Sequence, residues 1–269
     1  MTTLFDITLL VARQITKIVE RAATGGSTTT LVDTIGLTQA DGHWDAGTLW
    51  LKELGAVAEV SGFAANTLTF TPTLLAAVVA TDLYAVASNE WPYAELVKAV
   101  NMALQKVGPV KRRDVTTLVV STVGRYELPI GVENVCKVKV FDPTDETSFY
   151  WSERWEEEWD EETGAYVGYL VFDSGAHPKS DGWYIEIQYL GKHLPVVLAE
   201  DIISPAIDTE YLMWLSIVEL YKGFGLQTYG EDSRRIPQFL EEAMQHVQDM
   251  RGTRRTMSAP VLRVHVAGS

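Results

Sequence analysis

The chain has 269 residues, of which 46% are hydrophobic, and it carries a formal net charge of −14 with an isoelectric point of about 4.8. This length predicts two or three structural units, and the apolar content excludes global disorder. The acidic charge excludes a general nucleic-acid binder, because such proteins draw their affinity from neutralising phosphates. An acidic surface fits either a passage through which DNA slips without being held, since like charges repel, or a surface that only keeps the protein soluble.

The first 88 residues are predicted to hold a helix and a small β module. Apolar residues at steps of three and four indicate a helix over Leu4–Ala22, which Gly25 and Gly26 end. β-Branched segments broken by Gly, Asn or Asp follow, and their close spacing predicts a small barrel or sandwich, with Asn66 in a turn. These segments are Thr28–Val32, Gly47–Leu51, Val57–Val60, Thr67–Phe70 and Leu83–Val86.

A second helix is predicted over Trp91–Val107, because Pro92 suits a first helical turn and Gly108 ends the helix. The basic cluster Lys111–Arg113 is then expected in a solvated loop. Alternating residues beyond it predict a β segment that runs to Tyr189. Its clearest strands are Thr117–Val123, Val135–Phe141, Tyr166–Phe172 and Gly182–Tyr189.

The single cysteine, Cys136, excludes an intrachain disulfide and fits a reducing compartment. Its position inside a predicted strand indicates a small buried apolar residue. No apolar run reaches the length of about 18 residues that a membrane span needs. Asp6, with no basic residue before it, argues against a signal peptide.

The most unusual segment of the chain combines tryptophans with carboxylates. The even spacing of Trp151, Trp155 and Trp159 fits a strand as well as a helix, and the turn after them favours a hairpin in which the three rings share one face. Such a face serves a core or an interface more often than a sugar platform. The carboxylates beside it predict an acidic hairpin tip that is either solvated or a repulsive or partner-facing surface: Glu156, Glu157, Glu158, Asp160, Glu161 and Glu162.

The C-terminal part is predicted to hold two helices and an extended arm. The pair Ser204-Pro205 predicts the start of a helix that is apolar nearly all round and therefore central, and the last helix is expected to end near Gly252. The tail 253–269 spans roughly 50 Å if it is extended, enough to reach a neighbouring subunit. The residues predicted to dock the arm are Arg254, Arg255, Val261, Leu262, Arg263 and Val264.

No pattern in the chain predicts catalysis or cofactor binding. The glycines lack the spacing of a phosphate-binding loop, and no two histidines lie at metal-ligand spacing on one helix. The acidic run evokes a glycosidase, but that chemistry needs one carboxyl with a raised pKa in a dry pocket, whereas a hairpin tip is wet. We therefore predict no enzyme, no metal and no cofactor, with a cell-wall hydrolase or a sugar-binding module as the alternatives.

Several stretches of the chain resemble known proteins. The helix Trp91–Leu104 resembles the one that begins many tailed-phage adaptor proteins, and Gly124–Pro129 and Gly182–Pro195 resemble the segments that follow it there. In this order, and followed by a terminal pair of helices, these three stretches resemble the head-to-tail connector class, which includes the tail tubular protein A type. The stretch Gly26–Asp33, with Gly47–Trp50 and Leu68–Phe70, is similar to a module common among phage structural proteins.

The resemblance implies an α+β fold, in which a helical bundle carries an inserted antiparallel β domain. The domains are then an N-terminal helix and β module at 1–88, a bundle at 89–115 and 195–252, an inserted sandwich or barrel at 116–194, and an extended arm at 253–269.

It further implies a virion structural protein, assembled in the host cytoplasm. Its copies form a homo-oligomeric ring of about twelve subunits between the portal and the tail or neck proteins. The C-terminal arm then docks on the portal or on a neighbouring subunit, the β domain meets the tail, and the acidic tip faces the lumen or the tail. DNA passes through the lumen of this ring without specific binding, and no membrane is involved. Another phage structural role, in a baseplate, in tail completion or in capsid decoration, is the alternative.

Overall fold

The computed structural model describes residues 1–120, 124–162, 165–173, 178, 181–224 and 235–255. Within these residues the chain forms fourteen strands and four helices, and all three of its sheets are antiparallel. Contacts divide the chain into two units, of which one comprises Met1–Lys106 with Val196–Ser269 and the other Val107–Pro195.

A seven-stranded sheet, curved into a half-barrel, occupies much of the first unit. Its strands are β1 (Ile18–Ala22), β2 (Gly25–Gly26), β3 (Thr30–Val32), β4 (Thr48–Leu51), β5 (Ala56–Ala64), β6 (Thr67–Thr71) and β7 (Leu83–Ala87). They lie in the order β1-β7-β4-β5-β6-β3-β2 around a core that includes Leu49, Phe70 and Tyr84. All five predicted strands are confirmed, and Asn66, at φ +64°, occupies the predicted turn.

The first helix is shorter than predicted. Helix α1 spans Leu4–Ile15 and begins with a capping box, in which Thr3 and Asp6 bond to each other's backbone N–H groups. Thr16 leaves the helix in an extended conformation, and the chain then pairs with β7 as strand β1. The prediction of a helix to Ala22 is wrong because the β-branched pair Ile18-Val19 favours a strand, although Ile18 and Ala22 continue the helical spacing of the apolar residues before them.

Three further helices belong to the first unit. They are α2 (Tyr93–Lys106), α3 (Thr209–Phe224) and α4 (Arg235–Arg255). Helix α3 packs against α1, α2 and α4, and its burial on nearly all sides confirms the prediction of a central helix. It begins later than predicted, because the Asp208 carboxylate, rather than Ser204, accepts the N–H of Tyr211 at 2.8 Å.

The predicted fold class, a helical bundle with an inserted β domain, is wrong. The chain is mainly antiparallel sheet, and the N-terminal strands form a half-barrel with a core of its own rather than a small module beside a bundle. Helix α1 packs on this sheet, since the fully buried Trp50 of β4 donates its indole N–H to Thr8 at 3.3 Å. Helical periodicity identified the helices, but it carries no information on whether they pack on each other or on a sheet.

The second unit is a β-sandwich. Its strands are β8 (Val110–Leu118), β9 (Arg125–Glu127), β10 (Val132–Asp142), β11 (Asp145–Ser152), β12 (Trp155–Glu162), β13 (Ala165–Phe172) and β14 (Tyr184–Gly191). One sheet has the order β11-β10-β14-β8 and the other β12-β13-β9. Val138 and Ile187 from the first sheet and Leu170 from the second share one buried core, so the inner faces of the two sheets pack together.

Candidate functional site: two outer faces of the β-sandwich

The outer side of the three-stranded sheet is acidic, and we call it the acidic face. Its carboxylates alternate along strand β12, with one more on β9, and they comprise Glu127, Glu156, Glu158 and Asp160. A single cation, Arg125, lies among them. It pairs with Glu158 at 3.6 Å and with Asp160, and it stacks over the Tyr169 ring with 3.6 Å between the guanidinium carbon and the ring centroid.

Strand β12 is anchored by the residues that alternate with these carboxylates. Trp155 packs against the core of the sandwich. The Glu157 carboxylate accepts the backbone N–H of Val135 at 2.7 Å, and so ties β12 to the opposite sheet. The acidic face therefore lies on an edge strand of fixed orientation, with Glu158 and Asp160 about half exposed, at 51% and 49%.

The outer side of the four-stranded sheet carries the opposite charge, and we call it the basic–aromatic face. It combines cations from β8 and β10 with exposed rings from β11: Lys111, Arg113, Lys137, Lys139, Phe149 and Trp151. The Lys139 ammonium lies 4.1 Å from the centroid of the Phe149 ring, and the Lys137 ammonium lies 5.6 Å from that of Trp151. These are cation–π distances, so the cations are held in place over the rings.

One carboxylate, Glu186, is buried beneath the basic–aromatic face. It is only 3% exposed and accepts hydrogen bonds from Arg113 at 2.8 Å and from Gln188 at 2.7 Å. Burial by itself raises the pKa of Glu186, but the bonds from Arg113 and Gln188 and the charges of Arg113 and Lys139 outweigh it, so the pKa is lowered. Glu186 offsets one of the four positive charges of the face, so the face stays positive.

The predicted single face of three tryptophans does not exist. Trp151 belongs to β11 and to the basic–aromatic face, whereas Trp155 and Trp159 belong to β12 in the other sheet. The strand breaks at Glu153-Arg154, where the chain crosses between the two sheets. A period of two continues through this break, so spacing alone did not reveal it.

The predicted acidic tip is a strand rather than a loop. The hairpin is confirmed, because Glu162 pairs with Ala165, but the six carboxylates run along the whole length of β12. Alternation divides them, so that Glu156, Glu158 and Asp160 point outward while Glu157 bonds to the opposite sheet. The outward carboxylates lie in solvent rather than in the dry pocket that a glycosidase acid needs.

The last helix continues past the predicted start of the C-terminal arm. Arg254 and Arg255 are the last residues of helix α4, so the arm does not start at residue 253. The other predicted docking residues, Val261, Leu262, Arg263 and Val264, lie outside the described residues.

Two further predictions failed for local reasons. Cys136 is exposed rather than buried, because the register between β10 and β14 shifts between Val135 and Lys137 and leaves it without a partner on β14. The cluster Lys111–Arg113 was expected in a loop but lies in strand β8. Sequence reasoning consequently missed the basic–aromatic face, for which the alternation of Lys137 and Lys139 was the available signal.

An open groove of about 570 Å³ lies beside helix α1 in the first unit. Its two cations, Arg13 and Lys52, both bind Glu20, at 2.6 Å and 3.3 Å. The hydrogen bond from Arg13 lowers the pKa of Glu20. Both cations of the groove are therefore paired within the protein.

In the part of the chain that the structure describes, no group of three His, Cys, Asp or Glu side chains is arranged to hold a metal ion. None of the described helices is long and apolar enough to cross a membrane. Comparisons with known protein families and with curated proteins found no match to this chain.

Proposed function

We propose that this chain is a virion structural protein of the head-to-tail connector type. Its copies form a ring that joins the portal to the tail and lets DNA pass. The observation that carries the proposal is the acidic face, where Glu156, Glu158 and Asp160 point outward from an edge strand. Carboxylates held in this way serve contact with a partner or repulsion of an anion, and they do not form a pocket.

The charge of the whole chain supports a role in DNA passage. Each copy carries a net charge of −14, so a ring of copies presents a strongly negative wall. Such a wall repels phosphate and so does not retain DNA, whereas a protein that grips DNA needs a net basic surface. The order of sequence stretches that resemble phage connector proteins supports the same role. The implied helical bundle does not support it, because the fold is mainly β.

Electron microscopy of the purified chain, alone and mixed with portal protein, tests the proposal. We expect rings with a central opening that attach to one end of the portal. A chain that stays monomeric at every concentration and does not bind portal contradicts the proposal. Rings that attach to a baseplate or to a capsid surface instead of the portal point to the other structural roles.

An assay of cell-wall degradation by the purified chain tests the enzyme alternative. Cell-wall degradation by the wild-type chain that is lost in Glu158→Gln, but retained in Glu53→Gln, would replace the structural proposal with a catalytic one. Glu53 is an exposed carboxylate of the first unit and serves as the matched control.

A further inference from the structure

We propose that the basic–aromatic face of one copy binds the acidic face of a second copy, so that the β-sandwiches join head to tail. This inference rests on the proposed function, because it names the surface through which the copies of a ring associate. It goes beyond that function in assigning the contact to two particular sheets of the second unit.

Charge complementarity is the first step of the argument. The basic–aromatic face holds four cations, Lys111, Arg113, Lys137 and Lys139, against the single buried carboxylate Glu186. Among the residues that the structure describes, the acidic face holds four carboxylates against one cation, Arg125. Complementary potentials steer two surfaces together and fix their register.

The exposed rings are the second step. Phe149 and Trp151 are each 46% exposed on the outer strand β11 of the basic–aromatic face, although both are large and apolar. Aromatic residues are enriched at the centre of protein interfaces, where ring surface is removed from water, whereas lysines and carboxylates belong to the polar rim around them. Lys137, whose ammonium lies 5.6 Å from the centroid of the Trp151 ring, is an exposed cation beside this apolar surface and can pair with an incoming carboxylate.

The geometry of the sandwich is the third step. The two faces lie on opposite sides of one domain, because the inner faces of both sheets share the core. A contact between two different surfaces leaves one free surface of each kind, so further copies add in the same way. A head-to-tail contact of this kind closes into a ring when the rotation between copies allows it, as the proposed function requires.

The size of the contact determines how it must be detected. Three strands about 4.8 Å apart, each with about six residues at 3.3 Å, offer roughly 300 Å² of sheet surface per copy. Stable pairs bury about 800 Å² per partner, so two isolated copies associate weakly and ring closure adds the missing stability. A covalent trap is therefore more informative than the mass of an isolated dimer.

Zero-length carbodiimide coupling of the full-length chain captures the contact covalently, because it joins a lysine amine directly to a carboxylate. Within one copy, Lys137 and Glu158 lie on opposite sides of a sandwich whose sheets are about 10 Å apart, so a bond between them must join two copies. We expect a ladder of oligomers and, by mass spectrometry, links from Lys111 and Lys137 to Glu156 and Glu158. A ladder that lacks these links, or the absence of any ladder at the highest soluble concentration, overturns the inference.

Charge exchange provides the matched test. The variant Lys111→Glu/Lys137→Glu makes both faces acidic, and Glu156→Lys/Glu158→Lys makes both basic, so each variant alone should lose the ladder. An equimolar mixture should restore it. Arg113 and Lys139 stay unchanged because they neutralise the buried Glu186.

The controls make equal charge changes on exposed residues of the first unit. Lys17→Glu/Lys98→Glu and Glu53→Lys/Glu59→Lys should both keep the ladder. The inference is contradicted if the mixture does not restore the ladder although both variants retain the wild-type circular dichroism spectrum. A second result also contradicts the inference: the wild type binds a single-stranded oligonucleotide, and Lys111→Glu/Lys137→Glu abolishes that binding. This result would assign the basic–aromatic face to nucleic acid.

The outcomes also separate this inference from the proposed function. Rings on the portal that lack the predicted links leave the connector role intact and remove the assignment of these two faces. The predicted links in a chain that never binds portal retain the contact between copies and remove the connector role.

Discussion

Replacing Tyr84 with phenylalanine removes one hydrogen bond from a buried carboxylate in the half-barrel. Asp33 is 1% exposed, and its Oδ1 atom accepts the N–H groups of Ile35 and Gly36, each at 2.9 Å. The Tyr84 hydroxyl donates to Oδ2 at 2.7 Å, and the Arg21 Nε atom lies 3.5 Å from the same oxygen. In Tyr84→Phe, the Oδ2 atom of Asp33 keeps only the more distant contact with Arg21, and the carboxylate remains buried.

The size of the effect follows from the charge of the acceptor. A hydrogen bond to a charged group contributes about 1.5–3 kcal/mol, so Tyr84→Phe should lower the free energy of unfolding of the half-barrel by about 2 kcal/mol. At about 2–4 °C per kcal/mol for a unit of this size, the melting temperature should fall by about 4–8 °C.

The loss should depend on pH with a definite sign. Burial raises the pKa of Asp33, but the hydrogen bonds from Gly36, Tyr84 and Ile35 and the charge of Arg21 outweigh it, so the pKa is lowered on folding. The stability that this group contributes is full above its unfolded pKa of about 3.9 and is lost as pH falls through the folded pKa. Tyr84→Phe moves the folded pKa back toward the unfolded value, so wild type and variant should converge in acid.

Hydrogen exchange of β4 and β7 peptides, with urea titrations at pH 7 and pH 3, measures the opening of this sheet directly. Asp33→Asn is the companion variant, since it has no charge to titrate and should remove the acid dependence that this site contributes. A penalty for Tyr84→Phe below about 0.5 kcal/mol, the range of ordinary surface changes, refutes the reasoning. An equal penalty at the two pH values also refutes it.

Three further predictions concern a close backbone approach, a hydrogen bond between the two sheets of the sandwich and a helix cap. Gly47→Ala places a Cβ 2.3 Å from a backbone oxygen of β7 and should lower the free energy of unfolding of the half-barrel by about 1–3 kcal/mol. Its control, Gly62→Ala, places a Cβ with no atom within 4 Å and should cost less than about 1 kcal/mol. Urea denaturation measures both. Glu157→Ala, which leaves a β10 N–H unpaired, should cost about 1–2 kcal/mol in thermal melts, and Glu158→Ala should cost less than about 0.5 kcal/mol. Thr3→Ala should cost about 1 kcal/mol by removing the cap of α1, and an unchanged melting temperature would contradict that cap.

Local patterns predicted most of the individual elements. Alternation and β-branched residues located the strands of the half-barrel, and helical periodicity located α2 and α3 to within a few residues. These signals succeed because they depend on which side of a short segment meets water, and neighbouring residues alone determine that side. They failed at Ile18–Ala22, where the helical spacing of apolar residues continues into a strand, and between Trp151 and Trp155, where an even spacing continues across a break between two strands.

The sequence by itself determined the acidity of this protein, its two alternating runs of carboxylates and lysines, and the location of most of its strands. Only the tertiary structure decided which strands are neighbours, and that choice created the two faces. Lys111 and Lys137 share a surface because β14, more than forty residues later in the chain, pairs with both of their strands. Strand pairing is set by the burial of a shared core over long separations in sequence, and no local window contains that information.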